Sequence, residues 1–177
     1  MENCKMVIAG FGGQGILFAG KIIAHAAMLK DKKLSWLPSY GPEMRGGTAN
    51  CHVIISDENV ASPIITKPDI LVAMNKPSLD KFEDDVESGG YIFVDKSLID
   101  REVRRTDVTT VYVDATKTAE KVGNIKLANM VMLGKIIKET GLFSEKEIEA
   151  TFVHSLPANK QALVESNMKA VMAGFES

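Results

Sequence analysis

Residues 5–10 form a short apolar run that predicts a buried strand. The glycine-rich stretch from Gly10 to Gly15 then leads into a long apolar segment ending near Leu29. The pattern is strand, tight loop, helix. On that helix Lys21 and His25 lie one turn apart on one face, while Gly20, Ala24 and Ala27 keep the opposite side thin. Small residues there predict a close approach of helix to sheet. Residues 32–37 predict a second strand stopped by Pro38, and residues 38–47 have loop composition. A loop of that length in a compact domain points to a functional or interface element. Residues 48–56 alternate, with Ala49, Cys51, Val53 and Ile55 on one side and Asn50, His52 and Ile54 on the other. That alternation predicts a third strand with at least one buried face.

The apolar run 70–74, the charged segment 78–87 and the run 91–95 after Gly89-Gly90 repeat the order strand, helix, strand and predict a parallel crossover. A further strand is predicted at 108–113. The last third reads as helical. Residues 124–140 are closed by Gly141, Ser144 and Glu147 form a capping box for a short helix, and Pro157 starts a final helix running to about Gly174. No repeat, low-complexity tract or interdomain linker interrupts the chain, so residues 1–177 are expected to form one α/β domain with a mainly parallel sheet.

Composition narrows the function classes. With 177 residues the chain can bury a substantial core but cannot be a large multidomain catalyst. Basic residues number 21 and acidic residues 23, a formal charge of −2, so no strong attraction to nucleic acid or an anionic membrane is expected. Cys4 and Cys51 are the only thiols, too few for a disulfide framework or an all-cysteine metal or iron-sulfur site. Any redox metal would then have to sit in another chain. No signal-peptide layout or spanning apolar run is present, because Lys21 and His25 interrupt the longest candidate, and a cytoplasmic location is expected.

The segment Gly10-Phe11-Gly12-Gly13-Gln14-Gly15 matches G-x-G-x-x-G between a strand and a helix, a Rossmann-like loop. Such a loop turns backbone N–H groups toward a phosphate at a helix N-terminus. The plainer alternative is a tight turn whose glycines only permit packing. A dinucleotide domain also needs an acidic residue at the end of the second strand. Here that strand ends in Leu37-Pro38-Ser39-Tyr40, and Asp31 precedes it. Gln14 is expected to present its amide from the loop tip to a ligand or a partner chain. In the second loop, Tyr40, Glu43, Arg45, Gly46 and Gly47 are candidates to face the first. Arg45 could bind a phosphate or carboxylate bidentately, or simply pair with Glu43 in solvent. His25, His52 and His154 lack metal-ligand spacing with cysteine, and Cys51 falls on the apolar phase of its strand, which favours a core thiol. Asn129, inside an apolar segment, either fixes a loop or subunit contact or lies on an exposed helix face.

Three blocks together resemble the gamma subunit of 2-oxoacid:ferredoxin oxidoreductases: Gly10 to Ile16, Ser39 to Ala49, and Gly123-Asn124 with Ala128 to Gly134. The second is the most specific, and the resemblance covers essentially the whole chain. It implies a three-layer α/β/α domain in an assembly that oxidatively decarboxylates a 2-oxoacid with coenzyme A, giving acyl-CoA, carbon dioxide and reduced ferredoxin. It also implies that thiamine diphosphate and its Mg belong to alpha and beta subunits, and iron-sulfur clusters to beta or a ferredoxin-like delta subunit. This chain would dock on those subunits and lie beside coenzyme A, with Gly10, Gly12, Gly13, Gln14, Gly15, Tyr40, Glu43, Arg45, Gly46 and Gly47 as cofactor-side residues and no catalytic residue of its own. The favoured oxoacid is 2-oxoglutarate. An independent dinucleotide-binding oxidoreductase and a purely structural assembly subunit stand as alternatives.

Overall fold

The computed structural model describes residues 3–39, 48–156, 159 and 161–177. The predicted loop bearing Tyr40, Glu43, Arg45, Gly46 and Gly47, and the Pro157 helix start, lie outside the described residues. Among the described residues one sheet contains six strands. They are β1 (Cys4–Phe11), β2 (Lys33–Ser39), β3 (Thr48–Ser56), β4 (Ile70–Ala73), β5 (Tyr91–Asp95) and β6 (Thr109–Val113). Their order across the sheet is β2-β3-β1-β4-β5-β6. The pairs β1–β4, β4–β5 and β5–β6 are parallel, whereas β3 runs antiparallel to both β1 and β2. Five strands therefore share one direction, and β3 is the single reversal.

Strand periodicity divides the core into two faces. Met6, Ile8, Ile70, Val72 and Phe93 face one large apolar cluster, and Val7, Leu71, Ala73, Ile92 and Val94 face a smaller one. The large cluster is covered by α1 (Ile16–Leu29), α3 (Ala115–Val122), α4 (Ala128–Thr140), α5 (Glu145–Ser155) and α6 (Gln161–Phe175). The small one is covered by α2 (Lys76–Phe82), the following 3-10 turn and the connections that carry Ile65 and Ile99. The result is a three-layer α/β/α arrangement with one heavy and one thin outer layer. Small residues bring α1 close to the sheet, as expected. A Cβ on Gly20 would lie 2.4 Å from Cys51 Sγ and 3.1 Å from Trp36 Nε1.

Several boundaries differ from the sequence expectations. Pro38 does not stop the second strand, which runs to Ser39 with Pro38 opposite Cys51. β2 is the edge strand, where a missing N–H need not break a ladder. The charged segment is helical only over Lys76–Phe82 and tightens into a 3-10 turn at Glu83–Asp85. The helix expected from residue 124 begins as a 3-10 turn, Ile125–Leu127, before α4. Helix α3 was not expected at all. Its buried side is Ala115 and Ala119 with half-buried Val122 continuing the stripe at helical spacing, but the helix has only eight residues and the rest of it is polar, so the pattern is easily passed over. The capping box of α5 is present in both directions, with Ser144 Oγ accepting from Glu147 N–H and Glu147 Oε2 accepting from Ser144 N–H.

Candidate functional site

The glycine loop sits at the carboxyl end of β1. Gly12 and Gly13 form the turn itself, closed by a 3.2 Å hydrogen bond from Gln14 N–H to Phe11 C=O. Gly13 has φ of 93° while Gly12 is not in the left-handed region, which is type II geometry and requires glycine at the second central position. Gly15, at φ 71°, is the N-cap of α1 and supplies no side-chain cap, and the first turn of α1 carries no acidic residue. No acidic side chain of the helix's own first turn therefore neutralises the partial positive charge at this helix start. Gly12 and Gly13 are both exposed.

Topology selects the same place. From β1 the chain passes to α1 on one face and on toward β2, whereas from β4 it passes to α2 on the opposite face and on toward β5. The crevice between the carboxyl ends of β1 and β4 is a topological switch point, where open α/β sheets collect ligands.

Gln14 does not present its amide outward as expected. Its Oε1 accepts from Phe11 N–H at 2.6 Å, and its Nε2 donates to Met74 C=O at 3.0 Å, across the switch-point crevice. Asn129 is buried, not a helix-surface residue. Its Nδ2 donates to Gly15 C=O at 3.0 Å, and its Oδ1 accepts from Met130 N–H at 3.0 Å. This contact joins the start of α4 to the glycine loop over 114 residues of sequence. The structure thus brings Gly10, Gly12, Gly13, Gln14, Gly15 and Asn129 together.

Sequence reasoning passed over two polar residues on the same sheet edge. Asp95, fully buried at the end of β5, accepts from Thr116 Oγ1 at 2.5 Å and from Ser97 N–H at 3.1 Å, which pins the start of α3. Asn75 caps α2 by accepting from Ser78 N–H at 2.8 Å. In both cases the available signal was an Asp or Asn directly after an apolar run.

The remaining candidates are structural. Burial pushes the thiols of Cys4 and Cys51 up to about 12, so neither is a thiolate at neutral pH. His52 Nδ1 accepts from Ile65 N–H at 3.0 Å, and burial lowers its pKa, both of which favour the neutral ring. His25 Nδ1 lies 2.7 Å from Ser155 Oγ and links α1 to α5. No helix among the described residues is long and apolar enough to cross a membrane.

A parallel-type α/β sheet with a glycine loop at its switch point defines a class of nucleotide- and cofactor-associated folds. Comparison with known proteins makes the assignment specific. The family model for pyruvate ferredoxin/flavodoxin oxidoreductase matches residues 5–177, and the chain belongs to that family. It is 42% identical over 174 residues to the ketoisovalerate oxidoreductase subunit VorA of Methanothermobacter thermautotrophicus, covering 97% of this chain but only 36% of that relative. It is 39% identical over 174 residues to the 2-oxoglutarate synthase subunit KorC of Methanocaldococcus jannaschii, covering 96% of this chain and 90% of the relative. Among solved structures, the gamma subunit of a keto/oxoacid ferredoxin oxidoreductase from Geobacter sulfurreducens superposes with a TM-score of 0.81 at 34% identity, over 97% of this chain and 96% of that one.

Proposed function

We propose that this chain, as a single domain over residues 1–177, is the gamma subunit of a cytoplasmic 2-oxoacid:ferredoxin oxidoreductase. In this reading it docks on alpha and beta subunits that hold thiamine diphosphate, its Mg and iron-sulfur clusters, with a ferredoxin-like delta subunit completing the electron path to ferredoxin. The complex converts a 2-oxoacid and coenzyme A into acyl-CoA and carbon dioxide while ferredoxin is reduced. The proposed oxoacid is 2-oxoglutarate, following a relative that combines 39% identity with alignment along 90% of its own length. The observation that carries the reading is the family match over residues 5–177.

Within the complex, the Gly10–Gly15 loop is proposed to lie against coenzyme A, with Tyr40, Glu43, Arg45, Gly46 and Gly47 supplying the facing loop. Coenzyme A is rich in phosphate, and the loop offers what a phosphate needs: exposed glycines and an uncapped helix start at a switch point. A guanidinium at Arg45 would add a bidentate contact.

The test uses the complete complex. Gly12→Asp places a carboxylate on the exposed turn at a position free of backbone strain. The coenzyme A KM is expected to rise about tenfold, the change that 1.4 kcal/mol produces, while the 2-oxoacid KM and subunit association stay unchanged. Arg45→Ala is expected to act in the same direction. Unchanged coenzyme A kinetics in both variants would remove the loop from the coenzyme A site. Tight binding of NAD, NADP or flavin by the isolated chain would replace this reading with that of an independent dinucleotide enzyme.

A further inference from the structure

The first and last glycines of the motif face carboxamides. A Cβ on Gly10 would lie 2.6 Å from Gln14 Oε1, with Ile16 Cδ1 at 2.7 Å and Met74 Cβ at 2.9 Å also in the way, and a Cβ on Gly15 would lie 2.4 Å from Asn129 Nδ2. Contacts that short force a displacement, so each glycine makes room for one amide side chain. Gly13 is different: among the described residues nothing lies within 4 Å of a Cβ placed there. The motif is therefore divided between two glycines that admit amides and an exposed turn between them.

The amides are placed to brace that turn. Gln14 ties the residue before the turn, Phe11, to Met74 at the end of β4, using its acceptor at 2.6 Å and a donor at 3.0 Å. Asn129 ties the residue after the turn, Gly15, to the first turn of α4, with 3.0 Å hydrogen bonds on both sides. The loop thus bridges the starts of α2 and α4, and its glycine-rich, conformationally permissive backbone is fixed at both ends.

We propose that Gln14 and Asn129 are positioning residues, two carboxamide struts that hold the Gly12-Gly13 turn in the shape that engages its ligand. The proposal rests on the reading that this loop contacts coenzyme A. Neither amide is offered to that ligand. Their effect is to order the turn before binding, so that binding does not have to supply the ordering.

The experiment measures the loop and the ligand separately, in the complete complex. In Gln14→Leu, amide hydrogen exchange at Phe11 is expected to accelerate about tenfold or more as its acceptor is lost. The coenzyme A KM is expected to rise about tenfold, with kcat within about twofold of wild type. Asn129→Leu is expected to produce the same KM shift without exposing Phe11. If Gln14→Leu fails to assemble, Gln14→Met, unbranched and uncharged, removes both hydrogen bonds with less change of shape, and the same acceleration at Phe11 and the same KM rise are expected. Phe11 exchange as slow as in wild type overturns the proposal. So does accelerated exchange with an unchanged coenzyme A KM in a complex where Gly12→Asp raises it. If Gly12→Asp also leaves KM unchanged, the coenzyme A reading fails, and accelerated Phe11 exchange then upholds the struts for the loop alone.

Discussion

Glu83 is fully buried, a position carboxylates seldom occupy without partners. Burial alone would raise its pKa. The Arg101 guanidinium at 2.7 Å, the Arg104 guanidinium at 3.3 Å and a hydrogen bond from Arg104 N–H outweigh burial and hold the carboxyl below its ordinary 4.5. Arg101 is shared with Asp80 at 2.6 Å, so the cluster fastens the segment after β5 onto α2 in the thin outer layer. Glu83→Gln leaves the two guanidiniums short of a counter-charge. Breaking a buried pair costs about 3–5 kcal/mol, and because Arg104 is largely exposed the expected loss is about 2–3 kcal/mol. A carboxyl with a lower pKa folded than unfolded stabilises fully above the unfolded value and loses that contribution as pH falls through the folded one. The stability gap between wild type and Glu83→Gln should therefore be complete above pH 4.5 and shrink below it, as read from urea unfolding across the acid range.

At the level of elements, the tightest glycine contacts among the described residues are between α4 and α6. A Cβ on Gly134 would lie 1.9 Å from Val171 C=O, and one on Gly174 would lie 1.8 Å from Val131 C=O. The two helices meet backbone to backbone, each through its own glycine. Alanine is favoured over glycine inside a helix by about 1 kcal/mol, so Gly134→Ala would stabilise α4 if packing were indifferent. Overpacking at a backbone contact costs about 1–3 kcal/mol or more, and here the partner is a carbonyl that cannot swing away. Thermal denaturation should show a net loss of about 2 kcal/mol for Gly134→Ala, from these two opposing terms. Gain in stability would show that the helices part without cost.

The same elements explain what could be read in advance. The strands at 70–74 and 91–95 and the glycine loop were legible because uninterrupted apolar runs and glycine clusters are local signals. The path of β2 through Pro38 was not, because edge position is a property of the assembled sheet. α3 was hidden because it is short and mostly polar, although its end was marked by Gly123, at φ 108°. In the candidate site the glycines were visible, but the inward turn of Gln14 depends on Met74, 60 residues away, and no local pattern encodes it. Asn129 could be singled out as a polar residue in an apolar run and Gly15 as part of the glycine motif, while their pairing across 114 residues could not.

Across the whole molecule the layers are unequal. Among the described residues five helices cover one face of the sheet, and one short helix with extended connections covers the other. The sheet ends on the β2 side in a strand shielded by α1, and there the sequence has placed its single tryptophan. Trp36 packs beneath Gly20 beside Cys51, and its buried indole N–H has no hydrogen-bond partner among the described residues. One fluorophore therefore touches α1, β2 and β3 at once, next to a sulfur able to quench it. Its emission should be weak in the folded chain and should brighten and shift to the red as that corner opens. If the sheet edge and the helical layer unfold together, the emission change and the loss of far-ultraviolet circular dichroism will share one midpoint. An earlier optical transition would show the β2 corner separating first. The isolated chain thus carries its own optical reporter of the β2 corner, level with Met6 in the middle of β1, and no label need be added to follow that corner as it opens.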